Sequence, residues 1–150
     1  MLSISFACTV LLLLSTLLHF EVLSALSRLL PRLTMPSRFK LLLVIGGTFL
    51  AHFTEIFLYA LGLWGLVAIG AGSMVGMSHL SLSTAVYFST ETYTSLGYGD
   101  LVPAGSLRLL AGSETLNGLL LIGWSGSYLY IAMERFWRDT TQPSPPPESK

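Results

Sequence analysis

The most distinctive chemistry in the chain lies in one short run, Thr94-Ser-Leu-Gly-Tyr-Gly-Asp100. Gly97 and Gly99 flank Tyr98, and glycine takes positive φ without a Cβ penalty, so the backbone can turn at alternate positions. A strand of that kind leaves its carbonyl oxygens unpaired, and a dehydrated cation is a partner they suit. A second group lies upstream. Thr48, His52, Glu55 and Tyr59 follow spacings of four, three and four, which puts them on one helical face. Three readings of that stripe stay open. It is a hydrogen-bonded seam fixing its helix against another span, a proton-sensing pair, since imidazole changes charge near neutral pH, or a metal site. For a metal, two ligands fall short of the usual three or four. A third set is acidic: Glu91 and Asp100 bracket the Gly-x-Gly run. Glu114 stands one helical turn before Gly118 and within reach of Asn117. Glu114 either braces a neighbouring short helix or lines an outer vestibule.

The elements that must position these residues are read from apolar length. The chain has 150 residues, 52% apolar and 11% charged, with mean hydropathy +0.67. Soluble domains carry about 25% charged residues, so this chain cannot coat a water-facing surface, and disorder is excluded for the same reason. Eight Lys/Arg balance eight Asp/Glu, which leaves no basic footprint for nucleic acid. The single cysteine, Cys8, excludes an internal disulfide and reads as an apolar filler. A spanning helix needs about 20 mostly apolar residues, and three stretches qualify. They are Leu2–Phe20, Leu41–Gly70 with Glu55 as its one charge, and Thr115–Met133, whose helix starts near Ser106. The first lacks the basic flank and cleavage site of a signal peptide and is read as a retained helix.

Residues 71–105 are too polar and glycine-rich to span and too apolar for a plain loop. Within them, 81–94 suits a short helix capped by Ser81 or Ser83. Irregular backbone at membrane depth is tolerated only where protein or a watery cavity covers it. Short helix plus Gly-x-Gly strand therefore reads as a re-entrant loop. Arg28, Arg32, Arg38 and Lys40 lie between the first two spans, and Arg135, Arg138 and Lys150 follow the last. Basic residues favour cytoplasmic loops, which places the N-terminus outside and the 31–40 linker and the tail inside. The tail, 136–150, reads as disordered. No internal repeat is present, so a pore needs several copies of the chain. No helix carries the arginine ladder of a voltage sensor. His19, His52 and His79 are scattered in sequence, so catalysis has no constellation and the chain reads as a non-enzyme; His19 and Glu21 receive no role.

Residues 83–135 resemble the pore module of the two-transmembrane potassium-channel family. Ser95-Leu-Gly-Tyr-Gly-Asp100 matches its Thr-Val-Gly-Tyr-Gly-Asp signature at four of six positions. The resemblance implies an all-α membrane protein: three transmembrane helices, a re-entrant pore helix and a selectivity-filter loop, assembled as a homotetramer in the bilayer. It divides the chain into an accessory helix (1–30), a cytoplasmic linker (31–40), and a pore module (41–135). The module holds an outer helix at about 41–70, a pore helix at about 82–94, the filter at 95–100 and an inner helix at about 106–135. It implies no cofactor, and that K⁺, as the permeant ion, binds the carbonyls of Ser95, Leu96, Gly97 and Tyr98 and the Ser95 hydroxyl. Gly99 completes the strand, and the Tyr98 side chain braces it from outside the axis. In a bacterial member, the positions of Glu91 and Asp100 hold carboxyls that share a proton and control filter inactivation, which implies a filter-support pair; the alternative is that Asp100 faces outside water and Glu91 bonds only a neighbouring Thr or backbone group. Glu114, read as a brace of the short helix, is the third filter-support residue. Gly118 falls where the family often places a gating hinge; close helix packing explains such a residue equally. Ser95 keeps the hydroxyl of threonine but loses the methyl that restricts χ1, and Leu96 changes the packing behind the strand. The expected function is K⁺-selective conduction in a bacterial plasma membrane. A weakly selective cation channel or a non-conducting accessory protein are the alternatives.

Overall fold

The computed structural model describes residues 2–141, with side chains through 137. Its elements are α1 (Leu2–Leu29), a 3-10 turn at Leu30–Arg32, α2 (Ser37–Ala68), α3 (Leu82–Tyr93) and α4 (Leu107–Thr141). Among the described residues, three helical stretches are long and apolar enough to cross a membrane: Leu2–Arg32, Ser37–Ala68 and Leu107–Trp137. Many large apolar side chains on them face outward, Phe49 and Leu50 included, as expected of helices solvated by lipid. The protein is an all-helical, multi-pass membrane protein.

Element boundaries move with local chemistry. The second helix starts at Ser37 rather than near 41, because Pro36 sits at its N-cap, where a missing N–H costs nothing. The inner helix runs to Thr141, past the expected limit at 135. The tail expected to be disordered is therefore helical over 136–141, and 142–150 lie outside the described residues. Arg135 and Phe136 do not break a helix, and the first proline of the tail comes only at Pro143.

The buried face of α1 reads Ile4, Cys8, Leu11, Ser15, His19 and Leu23, one stripe at helical spacing that packs on both α2 and α4. Cys8 sits in the apolar core with Ile4, Leu11, Leu63 and Phe88. Gly62 leaves the room Leu11 occupies: a Cβ there would lie 2.6 Å from Leu11 Cδ1. Below α3, the 71–76 segment is tied to the stretch after the Gly-x-Gly run. Val75 N donates to Val102 O at 2.8 Å and Ala104 N to Ser73 O at 2.9 Å, around an isolated Met74–Pro103 bridge.

Candidate functional site

The short helix α3 begins at a serine cap. Ser81 Oγ accepts from Thr84 N at 3.1 Å, satisfying one of the orphan donors of a helix start. Twelve residues at about 1.5 Å each reach roughly 18 Å, about half the hydrocarbon thickness. The helix ends where the Gly-x-Gly run begins, and its last carbonyls are capped by that run. Leu96 N and Gly97 N both donate to Glu91 O, at 2.8 and 3.3 Å, and Ser95 N donates to Thr92 O at 3.1 Å.

Backbone handedness then alternates. Ser95, Gly97 and Gly99 have φ of +60°, +57° and +80°. The two glycines carry this without strain; Ser95 carries it at a cost of about 1–2 kcal/mol. Leu96 is 57% and Tyr98 69% exposed, so neither side chain is packed within the chain. The run lines one side of a cavity of about 380 Å³ whose other walls include Glu91, Gly112 and Thr115.

The end of α3 is held from two sides. Thr115 Oγ1 of α4 donates to Thr92 O at 3.1 Å. Gly118 lies against Tyr93, whose carbonyl oxygen any Cβ at 118 would strike. Gly118 is thus a close-approach position in this structure. Gly112, Gly123 and Gly126 have nothing within 4 Å of a Cβ in their own chain. Glu114 is 1% exposed and has Ser89 of α3 as its polar neighbour, yet neither Glu114 Oε1 nor Ser89 Oγ closes a hydrogen bond. Glu91 is buried with Oε2 unpartnered. Asp100 is exposed and accepts from Tyr87 Oη at 3.4 Å. Among the described residues no hydrogen bond joins Glu91 to Asp100; Tyr87 is a neighbour of both.

The polar stripe of α2 faces protein. Glu55 and Tyr59 are fully buried, and His52 is partly buried. Thr48 bonds its own helix, donating to Ile45 O at 2.9 Å, and so stands apart from the rest. Tyr59 Oη accepts from Asn117 Nδ2 at 3.2 Å, and the same amide donates to Ser15 Oγ at 2.7 Å. Glu55 Oε1 lies 2.8 Å from His19 Nδ1 and Oε2 lies 3.2 Å from His52 Nδ1. Tyr93 Oη donates to Oε2 as well. Sequence reasoning gave His19 no role, yet its ring centroid lies 5.2 Å from that of His52. The stripe supplies two potential metal ligands and α1 supplies the third, so His19, His52 and Glu55 together could hold an ion. The signal that could have found His19 was its place, with Ser15, among apolar residues at helical spacing.

Comparison with known proteins identifies the family of the chain. A family model described as "Ion channel" matches residues 41–135. The chain is similar to the inward rectifier potassium channel Kirbac3.1 of Paramagnetospirillum magnetotacticum, 31% identical over 102 residues, covering 67% of the chain and 34% of that protein. It is also similar to the voltage-gated potassium channel Kch of Escherichia coli (strain K12), 41% identical over 51 residues, covering 33% of the chain and 12% of that protein. The chain thus spans about a third or less of the length of these relatives. No solved structure gives a significant match.

Proposed function

The chain belongs to the two-transmembrane pore-loop ion-channel family, with an additional helix ahead of the pore module, and on that premise we propose that it is a homotetrameric, K⁺-selective channel. The observation that carries this reading is the left-handed backbone at every second residue, Ser95, Gly97 and Gly99. An ordinary extended strand points successive carbonyls to opposite sides. Alternating handedness rotates the peptide planes so that successive carbonyls can line one side. The carbonyls of Ser95, Leu96, Gly97 and Tyr98 would then replace the hydration shell of K⁺. A ring needs several strands and the chain has one such run, so copies must supply the rest. The exposure of Leu96 and Tyr98 supports that requirement, because side chains at membrane depth beside an irregular backbone need protein around them. Both relatives are potassium channels by name. No bond-making step is assigned to any residue.

The test is K⁺ against Na⁺ flux in liposomes holding the purified chain. K⁺ flux should exceed Na⁺ flux, and Gly97→Ala or Tyr98→Ala should abolish conduction or selectivity while insertion is kept. Unchanged K⁺ flux in both variants, or a purified dimer that conducts, would overturn the reading. Ser95 and Leu96, which stand where the family signature has Thr and Val, favour one second reading, a weakly selective cation channel. Comparable K⁺ and Na⁺ fluxes in the parent would establish it.

The proposed setting is a bacterial plasma membrane with the N-terminus outside. Its support is the basic cluster Arg28, Arg32, Arg38 and Lys40 between the first two spans. In a Cys8-free background, cysteines placed at Ser37 and Ser144 should resist an impermeant external reagent in sealed cells. Labelling of either from outside would reverse the orientation.

A further inference from the structure

The buried polar groups that the filter does not use gather around Glu55. Both its oxygens are approached by imidazole Nδ1 atoms, from His19 at 2.8 Å and His52 at 3.2 Å. Tyr93 Oη lies 2.9 Å from that same His52 Nδ1. On the far side of both rings the Nε2 atoms converge on one hydroxyl, Ser125 Oγ, at 3.0 Å for His52 and 3.2 Å for His19. One ligand atom from each of His19, His52 and Glu55 lies within 4.8 Å of the others.

As a purely hydrogen-bonded network this cluster does not balance. An ionised carboxylate only accepts, so both Nδ1 atoms must carry hydrogen to bond it. In neutral rings both Nε2 atoms are then bare, and they face one hydroxyl that has one hydrogen to give. One of the two Nε2–Ser125 contacts is left without a hydrogen. The charge does not balance either. Glu55 is fully buried within a span, and its ion-pair partners among the described residues are the two histidines. An unpaired carboxylate there is costly. A cation meets both deficits: one proton brings the cluster to net zero, and a divalent ion does so when Tyr93 Oη binds it as the phenolate.

We propose that His19, His52 and Glu55 form a binding site for a divalent transition ion of the Zn²⁺ class, held by the two Nδ1 atoms and the carboxylate. With the ion on the Nδ1 side, each ring becomes the Nε2–H tautomer, and the two lone pairs of Ser125 Oγ accept both N–H groups. That is the outer-shell arrangement metal-bound histidines require. Tyr93 Oη stands on the ion side as a further oxygen. Two imidazoles and a carboxylate select Zn²⁺ and its neighbours over the oxygen-seeking Mg²⁺ and Ca²⁺. A single added proton on one ring would also complete the hydrogen count. Both rings present Nδ1 to Glu55 and Nε2 to Ser125, and an ion between the two Nδ1 atoms uses both rings, with Tyr93 Oη beside His52 Nδ1 as a further oxygen. An ion would enter past His52, which is 18% exposed and lines a mainly apolar cavity of about 380 Å³ with Phe49, Phe53, Ile122 and Thr94. An ion there would clamp α1 to α2 and, through Tyr93, to the helix end that leads into the Gly-x-Gly run. The site stands independently of the K⁺ reading, since its occupancy is read without any flux.

The full chain is purified in detergent, stripped with chelator, equilibrated with Zn²⁺ and dialysed, and its zinc is measured by elemental analysis. One zinc per chain is expected in the parent and in His79→Ala, which removes an exposed histidine. His19→Gln, His52→Gln and Glu55→Gln, which can still hydrogen-bond, should each weaken retention by about tenfold or more. Co²⁺ in place of Zn²⁺ should give a visible d–d band that the same three variants lose; where a variant fails to fold, the parent's stoichiometry and cobalt spectrum decide. A parent that retains no zinc, or zinc retention indifferent to all three substitutions, overturns the site. If the parent keeps no zinc and nitrogen NMR shows one proton shared between the two rings, the cation is a proton and the metal assignment fails.

Discussion

The Gly-x-Gly run and the seam around Glu55 and Asn117 meet the same requirement in opposite ways. Polar groups at membrane depth must find partners inside the protein. The seam finds them within one chain: α1, α2, α3 and α4 each contribute, through Ser15 and His19, Glu55 and Tyr59, Tyr93, and Asn117 and Ser125. The run finds almost none. Its first two amide groups after Ser95 cap α3 through Glu91 O, and beyond them Leu96 and Tyr98 stay exposed. The seam thus ties the four helices of one chain together, whereas the run leaves Leu96 and Tyr98 exposed on that chain, as the proposed tetramer requires. Tyr93 belongs to both. Its hydroxyl sits in the seam, its carbonyl lies against Gly118, and its backbone leads into Ser95.

The sharpest way to break this contrast is to displace Tyr93 without removing a polar group from either region. Gly118→Ala does so, because its Cβ would strike the Tyr93 carbonyl oxygen, which belongs to a helix that cannot give way cheaply. Overpacking of this kind costs about 1–3 kcal/mol. Displacing the end of α3 should also remove most ion flux while the chain still inserts. Gly123→Ala serves as the comparison, having nothing within 4 Å of its Cβ in its own chain. It should unfold no earlier than the parent and keep the parent's flux. Identical behaviour of the two variants would show that the contact at Gly118 does not seat the pore helix.

The parts of the molecule that were legible in the sequence are those whose signals are local. Three apolar stretches declared three spans, and a serine cap with a short amphipathic run declared α3 at Leu82–Tyr93. Gly97 and Gly99 announced positive φ by residue type, and both have it. Ser95 shares that conformation and gave no warning, because a serine is rarely left-handed unless its surroundings hold it there. His19 was unreadable for a different reason. Its partner Glu55 lies 36 positions away, and their meeting depends on which face of α1 packs inward. That face was in principle visible, since Ser15 and His19 interrupt an apolar stripe at helical spacing. Polar residues in a lipid-soluble helix mark the side that meets protein. Gly118 could be read as hinge or packing from sequence; only the position of Tyr93 shows how close the backbone comes.

A smaller effect sharpens the contrast from the seam's side. Asn117 is the cross-piece of its half nearer the start of α4, donating to Ser15 Oγ at 2.7 Å and to Tyr59 Oη at 3.2 Å, with Thr16 Oγ1 at 3.5 Å from its carbonyl. Ser15 spends its own hydrogen on Leu11 O at 2.7 Å, so it stands toward Asn117 purely as an acceptor. Asn117→Leu therefore removes a donor without orphaning the serine hydrogen. Ser15→Ala leaves the amide one acceptor short but still bonded to Tyr59. Interhelical hydrogen bonds in a membrane average about 0.6 kcal/mol and reach about 1.7. A double-mutant cycle on these two positions, read by thermal or denaturant unfolding of the purified chain, should give a coupling in that range. Because the bond joins α1 to α4 and does not reach the Gly-x-Gly run, the K⁺ to Na⁺ flux ratio should be unchanged in every corner of the cycle. A coupling near zero would mean that α1 is held by apolar packing alone. A shifted flux ratio would mean that the seam and the filter are not separable, and that the accessory helix sets the geometry of the pore.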